Sequence, residues 1–483
     1  QGHDAILSVM MFEPIASLAF TTQALPARQH ACLNTSFRVH RVLHRARCCA
    51  KHHRFALAVA AGVSGACLRH RRMSSRRVGL RAASSPSPAG SMAKTRRAWI
   101  FPPGAGDIAA LTLREEPFEE PVHGEVCVRV RAIGLNFADV FTGLALYGPI
   151  ASGEVGSEAG GFVPGLEFSG VVERVGRAAG QPSASRMHGG QLCELSEDVW
   201  QLAKKAAGDL QEGDRVMGAM RFGSYATHVN VPAHQVVRIP DGWSFEEGAA
   251  FPVQSLTVFY AMRELGALRS RHTVLIHSAA GGCGLQAIEI CQKLGVKVVG
   301  TVGSDAKVPV ILARFPSLKA EQIVVRKGNG LEAQLKGALA AVGADGFDIV
   351  LDAVLGEYFH PGFNCLAAGG RYVVYGAASM TPQRDSLGVL GWIELAWKWL
   401  RRPWVDPLEL PGVNKSIMGF NLIHCFDNAE QLVELLQELL KLELPAPRVG
   451  HVLPFGEAVQ ALRTFRSGQT TGKVVLQVEA AQK

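Results

Sequence analysis

Thr273-Val-Leu-Ile-His-Ser-Ala-Ala-Gly-Gly-Cys-Gly284 reads as a short apolar strand, a turn of small residues and the start of a helix. Ala279, Gly281 and Gly284 hold the three positions of a G-x-G-x-x-G spacing, with Ala at the first. The middle glycine lets backbone approach a pyrophosphate, and the last lets helix and strand pack closely. The helix N-terminus, opening at Gly282, offers free N–H groups and a partial positive charge to phosphates. A glycine turn alone is a weak signal. Here a helical pattern runs from Gly282 to Leu294 and a second apolar strand follows at Val296–Thr301. Strand, turn, helix and strand thus fall within about 30 residues, the unit that binds a dinucleotide.

Working outward, Ile323–Val325, Asp348–Leu351 and Arg371–Tyr375 read as further short apolar strands alternating with helical stretches. That alternation predicts a parallel sheet covered on both faces. Upstream the pattern changes. Glu125–Ala132 alternates apolar and polar, and Phe168–Val175, Asp214–Ala219 and Tyr225–Val231 repeat the theme between Gly and Pro. Ser244–Leu265 reads as helical, Ser196–Leu210 as a helix within an insertion, Asn428–Leu442 as a Leu-rich helix and Lys473–Val478 as a last strand. The chain is α/β: a β-rich unit, a doubly wound parallel-sheet unit and a return.

Cofactor type is read at the end of the second strand. An NAD site places an acid about 20 residues past the glycine turn, on the ribose 2′-OH. Thr301 stands there, and Asp305 lies further on, within Gly303-Ser-Asp-Ala-Lys307. Ser304 is a hydrogen-bond donor, and Lys307 and Arg326 are cationic, which suits a 2′-phosphate. NADPH is therefore preferred, with Asp305 as the competing signal for NAD.

The 483 residues carry 50 Lys+Arg against 42 Asp+Glu, and 48% are hydrophobic. That excludes global disorder, and no run reaches the roughly 18 apolar residues of a spanning helix. The charge is uneven. Residues 1–97 hold 16 Lys+Arg and two acids, Asp4 and Glu13, leaving 34 Lys+Arg and 40 acids for the rest. The mildly acidic body gives no support for nucleic-acid binding. The basic, acid-poor leader, residues 1–96, has transit-peptide composition, and its two apolar stretches, Met10–Phe20 and Phe55–Leu68, suggest a bipartite presequence. A plastid address is favoured over a mitochondrial one, and Met73 or Met92 would start a shorter cytosolic form. Cys48, Cys49, His52 and His53 have no second pair at zinc-finger spacing.

Several stretches resemble the zinc-free quinone oxidoreductase (zeta-crystallin-like) branch of the medium-chain dehydrogenase/reductase superfamily, and within it the vesicle amine transport protein group. They are Ile133-Gly-Leu-Asn-Phe-Ala-Asp139, Pro164-Gly-Leu-Glu-Phe-Ser-Gly170, Val274–Gly284, Ile417-Met-Gly-Phe-Asn421 and Thr471-Gly-Lys-Val-Val475. The resemblance implies a GroES-like β-rich domain at 97–236, a Rossmann domain at 237–430 and a return to the first domain at 431–483. It implies no catalytic zinc, because Asn136 and Leu166 stand where zinc-dependent relatives have Cys and His. It assigns Asn136 and Tyr147 to the acceptor side, as donor to a developing oxyanion and as wall or proton source. It assigns Thr257 to a cofactor contact, Gly376 to a strand end near the nicotinamide, Phe420 and Asn421 to the segment flanking the cofactor and Lys473 to the segment near its phosphates. There are departures: Gly143 replaces a frequent Arg, Ala145 a Gly, and Arg326 a Tyr near the 2′-phosphate. Residues 177–212 exceed the family loop and either cap the site or decorate the surface. Cys283, at a helix start, is a candidate redox-sensitive thiol or a packing residue. His277 and Asp352 end parallel strands, where ligands gather.

The implied chemistry is hydride transfer to a quinone or to the β-carbon of an α,β-unsaturated carbonyl, in a homodimer. Gly391–Trp404 holds four of the seven Trp. Trp392, Leu395, Ala396, Trp399 and Leu400 share one helical face, with Lys398, Arg401 and Arg402 adding charge. That face fits a peripheral membrane contact, a dimer contact, a lid or a helix packed on the body. The rival function is an NADPH-binding, membrane-associated adaptor with little turnover.

Overall fold

A computed structural model describes residues 94–104, 106–147, 161–177, 197–327 and 330–479. Residues 1–93 of the leader, with its apolar stretches and Cys48–His53, and residues 178–196 of the insertion lie outside the described residues. Seven strands come first: β1 (Thr95–Ile100), β2 (Thr112–Pro117), β3 (Glu125–Gly134), β4 (Glu167–Val175), β5 (Arg215–Ala219), β6 (His228–Pro232) and β7 (Val236–Arg238). Six follow: β8 (Thr273–Ile276), β9 (Lys297–Val302), β10 (Ile323–Val325), β11 (Phe347–Asp352), β12 (Leu366–Val374) and β13 (Ser416–Gly419). The return adds β14 (Val449–Pro454) and β15 (Lys473–Gln477).

The six-stranded sheet runs β10-β9-β8-β11-β12-β13, every pair parallel. Counted from β8 this is the 3-2-1-4-5-6 order of a dinucleotide-binding sheet, which reverses between β8 and β11. Alternate residues of these strands face opposite layers. Leu275, Val299 and Val350 pack with Leu335, Leu339 and Phe359. Val274, Ile276, Val298 and Ile349 pack with Leu285 and Ile288 on the other side. Both faces are covered, so β8 is buried at all four positions. The expected Rossmann class holds.

The other sheet runs β14-β15-β3-β4-β5-β7, with β6 also pairing β3. β15 lies antiparallel to β3, so the C-terminal return closes onto the β-rich unit. The predicted helix over Ser244–Leu265 is three pieces, Phe245–Ala249, Pro252–Tyr260 and a π-helical turn at Ala261–Leu265. Pro252 explains the first break, since a proline is tolerated at a helix start and not inside one. The hairpin β1–β2 and the strands β13 and β14 had no clear pattern in the sequence. In the insertion, the helix Glu197–Gly208 buries Ala203 and Ala207 and lays Trp200 against Gly124, where a Cβ would come within 2.9 Å of the ring. None of its residues lines the cleft described next.

Candidate functional site

The cleft lies at the C-terminal ends of β8, β11 and β12 and encloses about 230 Å³. Ser278 and Gly281–Gly284 from the glycine turn, Ala353 and Tyr375–Ala378 form one side, and Asn136–Ala138, Tyr147 and Leu166 form the other. Ligands collect at such a switch point because loops diverge there and helix N-termini converge.

The glycine turn behaves as its spacing requires. A Cβ on Gly284 would sit 2.6 Å from the Ala279 Cα, so close strand–helix packing excludes any side chain there. The turn is tied across the cleft, because Gly472 N–H donates to the Ala280 carbonyl at 2.8 Å. Ala279 is fully buried beneath the turn and does not line the cleft. Gly281, Gly282, Gly284, Thr257, Lys307, Gly376, Phe420, Lys473, Asn136 and Tyr147 all do. Ser304 and Arg326 do not; they stand at the outer end of the same strand edge.

At that outer end charge is sorted. Asp305 forms an exposed ion pair with Lys327. Lys307 donates from Nζ to the carbonyls of Gly468 (2.6 Å) and Thr470 (2.9 Å). Arg326 donates from Nη1 to Thr301 Oγ1 at 3.1 Å and stacks over the Tyr358 ring at 4.8 Å. Burial holds both Lys307 and Arg326 below their usual values, and their mutual repulsion adds to the shift of Lys307. Thr301 Oγ1 also shares a hydrogen bond with His277 Nδ1, 2.9 Å away. Burial pushes His277 down to about 4, so it is neutral. Two cations thus face the strand end while the acid is drawn off.

The opposite end is a closed network. Lys473 Nζ donates to Asn136 Oδ1 at 2.8 Å and forms a buried ion pair with Glu167 Oε1. Asn136 Nδ2 donates to Glu167 Oε1 at 2.9 Å, and Glu167 Oε2 accepts from Val253 N–H at 2.8 Å. The Asn136 N–H donates to Asp139 Oδ2 at 2.8 Å, which also accepts from the Tyr225 hydroxyl at 3.2 Å. Burial pushes the Asp139 carboxyl up to about 7. The resemblance assigns Lys473 to phosphates, but its ammonium is held at the acceptor end. The physical reason is Glu167, a fully buried carboxylate that requires a counter-charge. Likewise the Asn136 amide is engaged at both ends.

The Tyr147 hydroxyl donates to Asn421 Oδ1 at 2.9 Å, and burial raises the phenol. Phe420 packs between Tyr260 and Tyr375, with centroids 4.9 and 6.1 Å away. Cys283 is pushed up to about 11 by burial, which leaves the thiol protonated and favours packing over redox sensitivity. Asp352 is saturated by the N–H groups of Val354 and Leu355 and by the Tyr372 hydroxyl. Glu167, Gln254 and Tyr375 were not singled out as site residues. Glu167 had a signal, an acid inside the apolar run Leu166–Val172. Gln254 Oε1 and the Tyr375 hydroxyl are buried at the cleft with no hydrogen-bond partner in the structure.

Those unpaired atoms, the glycine cradle and the cation pair fit a phosphorylated dinucleotide. Zinc fits less well. Among the described residues no three His, Cys, Asp or Glu side chains converge, and the oxygens of Asn136 and Glu167 are already taken by Lys473.

Two family models each match part of the chain: the alcohol dehydrogenase GroES-like domain over residues 122–241 and the zinc-binding dehydrogenase over residues 318–476. The chain belongs to the medium-chain dehydrogenase/reductase superfamily. Among its relatives is the synaptic vesicle membrane protein VAT-1 homolog of Rattus norvegicus, 28% identical over 388 residues that cover 77% of this chain and 82% of that protein. The Thermus thermophilus quinone oxidoreductase, solved with and without NADPH, superposes with a TM-score of 0.55 at 27% identity, covering 79% of this chain and 99% of that one. A highly reducing polyketide synthase of Alternaria alternata is 30% identical over 383 residues, which cover 78% of this chain and only 12% of the synthase. The chain is thus an oxidoreductase by family, related to quinone oxidoreductases.

Proposed function

We propose that the protein is an NADPH-dependent, zinc-independent reductase of quinones or α,β-unsaturated carbonyls. The observation that carries the cofactor reading is the sorting of charge at β9: Asp305 pairs with Lys327 while Arg326 and Lys307 face the strand end. A bare ribose diol calls for the acid, and a 2′-phosphate for the cations. The Thermus thermophilus quinone oxidoreductase, solved in complex with NADPH, supports the same choice.

Gly281, Gly282 and Gly284 would hold the pyrophosphate, Ser304, Lys307 and Arg326 the 2′-phosphate, and Thr257, Gly376 and Phe420 the nicotinamide side. When bound, NADPH supplies the hydride. The protein's own part is orientation and charge. Lys473, fixed by Glu167, brings positive charge to the cleft beside Asn136, where negative charge grows on the acceptor oxygen. The Tyr147 hydroxyl gives its hydrogen to Asn421 Oδ1, so Tyr147 serves as a wall to the acceptor and water supplies the proton. Leu135, Leu166, Phe426 and Phe465 keep that end apolar.

The test is nicotinamide oxidation by the full chain with NADPH or NADH against a panel of quinones and enones, with and without chelator. We expect NADPH to be preferred by about tenfold or more and chelator to change nothing. Turnover that is lost to chelator and restored by zinc overturns the metal-free reading. The saturated Asn136 amide favours a second reading, a cofactor-binding adaptor with little turnover. Binding of NADPH without oxidation by any acceptor selects it. Import of the leader into a plastid is part of the proposal, and a fluorescent fusion of residues 1–97 found in the cytosol or mitochondrion counts against it.

A further inference from the structure

The helix Gly388–Leu400 turns its polar side inward. Its two charged residues, Glu394 and Lys398, pair at 2.9 Å, and Lys398 also donates to the Thr381 carbonyl at 3.0 Å. Gly391 is its one buried residue. Val389, Leu390, Trp392, Ile393, Trp397, Trp399 and Leu400 are each more than half exposed. At 3.6 residues per turn they cover about half the circumference, and none is charged. Leu395 and Ala396, which the sequence groups on one face with Trp392, Trp399 and Leu400, are half-buried, and Trp397 joins the exposed face. A surface helix ordinarily directs its apolar stripe to the core. This one does the reverse, and Trp404 and Leu408 extend the patch. Of the 13 large apolar side chains exposed among the described residues, ten lie between Val389 and Val413. A patch so concentrated marks a docking surface.

We propose that this face seats on the interfacial layer of an anionic lipid bilayer. Two observations choose the bilayer over a second copy of the chain. First, the patch is rich in tryptophan, whose indole N–H needs an acceptor. A two-fold contact would press two such faces together, and none of the seven outward side chains can accept. At a bilayer surface the ring sinks among the acyl carbons while its N–H keeps water and ester oxygens. Second, cations sit at the rim and not in the centre. Arg401 stacks over Trp397 at 4.7 Å, and Arg402 over Trp399 at 3.7 Å and Trp404 at 4.2 Å. Arg402 Nη1 donates to the Trp399 carbonyl at 2.9 Å, and the remaining donors of the two guanidinium groups are left for lipid phosphates. The helix lies on the membrane: it has 13 residues, about 20 Å, and no helix among the described residues is long and apolar enough to cross. The inference does not depend on the chemistry of the cleft.

The experiment uses the full chain and vesicles of phosphatidylcholine, with or without phosphatidylglycerol, carrying brominated acyl chains. The first tryptophan is Trp99, so the basic leader is silent and quenching reports the body. Blue-shifted, quenched emission is expected on anionic vesicles. Ile393→Asn with Leu400→Asn keeps all seven Trp and is expected to lower vesicle affinity about tenfold or more, at an unchanged thermal midpoint. Arg401→Gln with Arg402→Gln is expected to reduce the preference for anionic over neutral vesicles. Val389→Asn with Leu390→Asn tests the same face should the first pair lower the midpoint. Unquenched wild-type emission overturns the proposal, as does quenching that both apolar pairs leave intact. So does a sedimentation mass showing that these pairs only split a dimer.

Discussion

The two ends of the cleft solve opposite problems. The dinucleotide end is built from one local unit, β8, the turn at Ser278–Gly284 and the following helix, and it leaves polar groups open: the glycine backbone and the hydroxyl of Tyr375. The acceptor end draws Asn136, Glu167 and Lys473 from segments up to 337 residues apart and spends their polar groups on one another. One end is preformed to receive a ligand's charge. The other is preformed around a charge of its own. Catalysis by electrostatic preorganisation asks for such an arrangement, because a charge already fixed need not reorganise when the acceptor oxygen turns negative.

The largest expected effect breaks the closed end. Replacing Lys473 with Met leaves Glu167 buried without its counter-charge, and losing one partner of a buried pair costs about 3–5 kcal/mol. Urea unfolding should show that loss, and adding Glu167→Gln should recover part of it. If the double variant is no more stable than the single, the ion pair is not what holds this end.

Next is the pH response of Asp139. Burial places its folded-state pKa at about 7, above the ordinary carboxyl value of 3.8. Below about 3.8 both states bind the proton and folding carries no penalty. As pH rises toward 7 the unfolded chain ionises first, so stability falls, and above 7 the penalty is constant. The shift corresponds to about 4 kcal/mol at most. Asp139→Asn cannot titrate, so its stability relative to wild type should climb between pH 4 and 7. A flat difference across that window removes the argument.

This contrast also sets how much the sequence could say. The parallel sheet, the cofactor unit and the return strand were legible because each rests on short-range patterns: apolar runs such as Val274–Ile276, a fixed glycine spacing, and Lys473–Val478 after a Leu-rich helix. Motif resemblance brought Asn136, Tyr147, Phe420 and Lys473 to one cleft. The orientation of Lys473 was not legible, since it depends on a carboxylate 306 positions away in number that no local pattern pairs with it. Nor was the inverted face of Gly388–Leu400, because periodicity shows that a helix has an apolar side and not which way that side points.

The third prediction sharpens the open end. Arg326→Ala should weaken binding of 2′,5′-ADP by about ten- to a hundredfold, the worth of a charge-assisted contact, and leave 5′-AMP unchanged. Calorimetry reads this without turnover. Thr301→Val should act in the same direction and more weakly, because Thr301 only fixes the guanidinium it accepts from. Equal losses for both nucleotides would make Arg326 a structural group stacked on Tyr358, with no part in reading the phosphate.

The smallest effect lies in the loop joining Asn136 to Tyr147. The helix Phe137–Gly143 ends at Leu144, and Ala145 follows with φ at +53°. That is the position after a helix end where glycine is usual, because a Cβ in the left-handed region costs roughly 1–2 kcal/mol. Ala145→Gly removes that cost and returns part of it as backbone entropy in the unfolded chain, so a net gain of about 0.5–1 kcal/mol is expected in the urea midpoint. A gain with unchanged NADPH affinity would mean that the strain belongs to the acceptor loop alone. A loss of stability would mean that the Ala145 methyl packs well enough to outweigh its backbone, and that this loop, like the network it leads from, is held by contacts the helix pattern does not reveal.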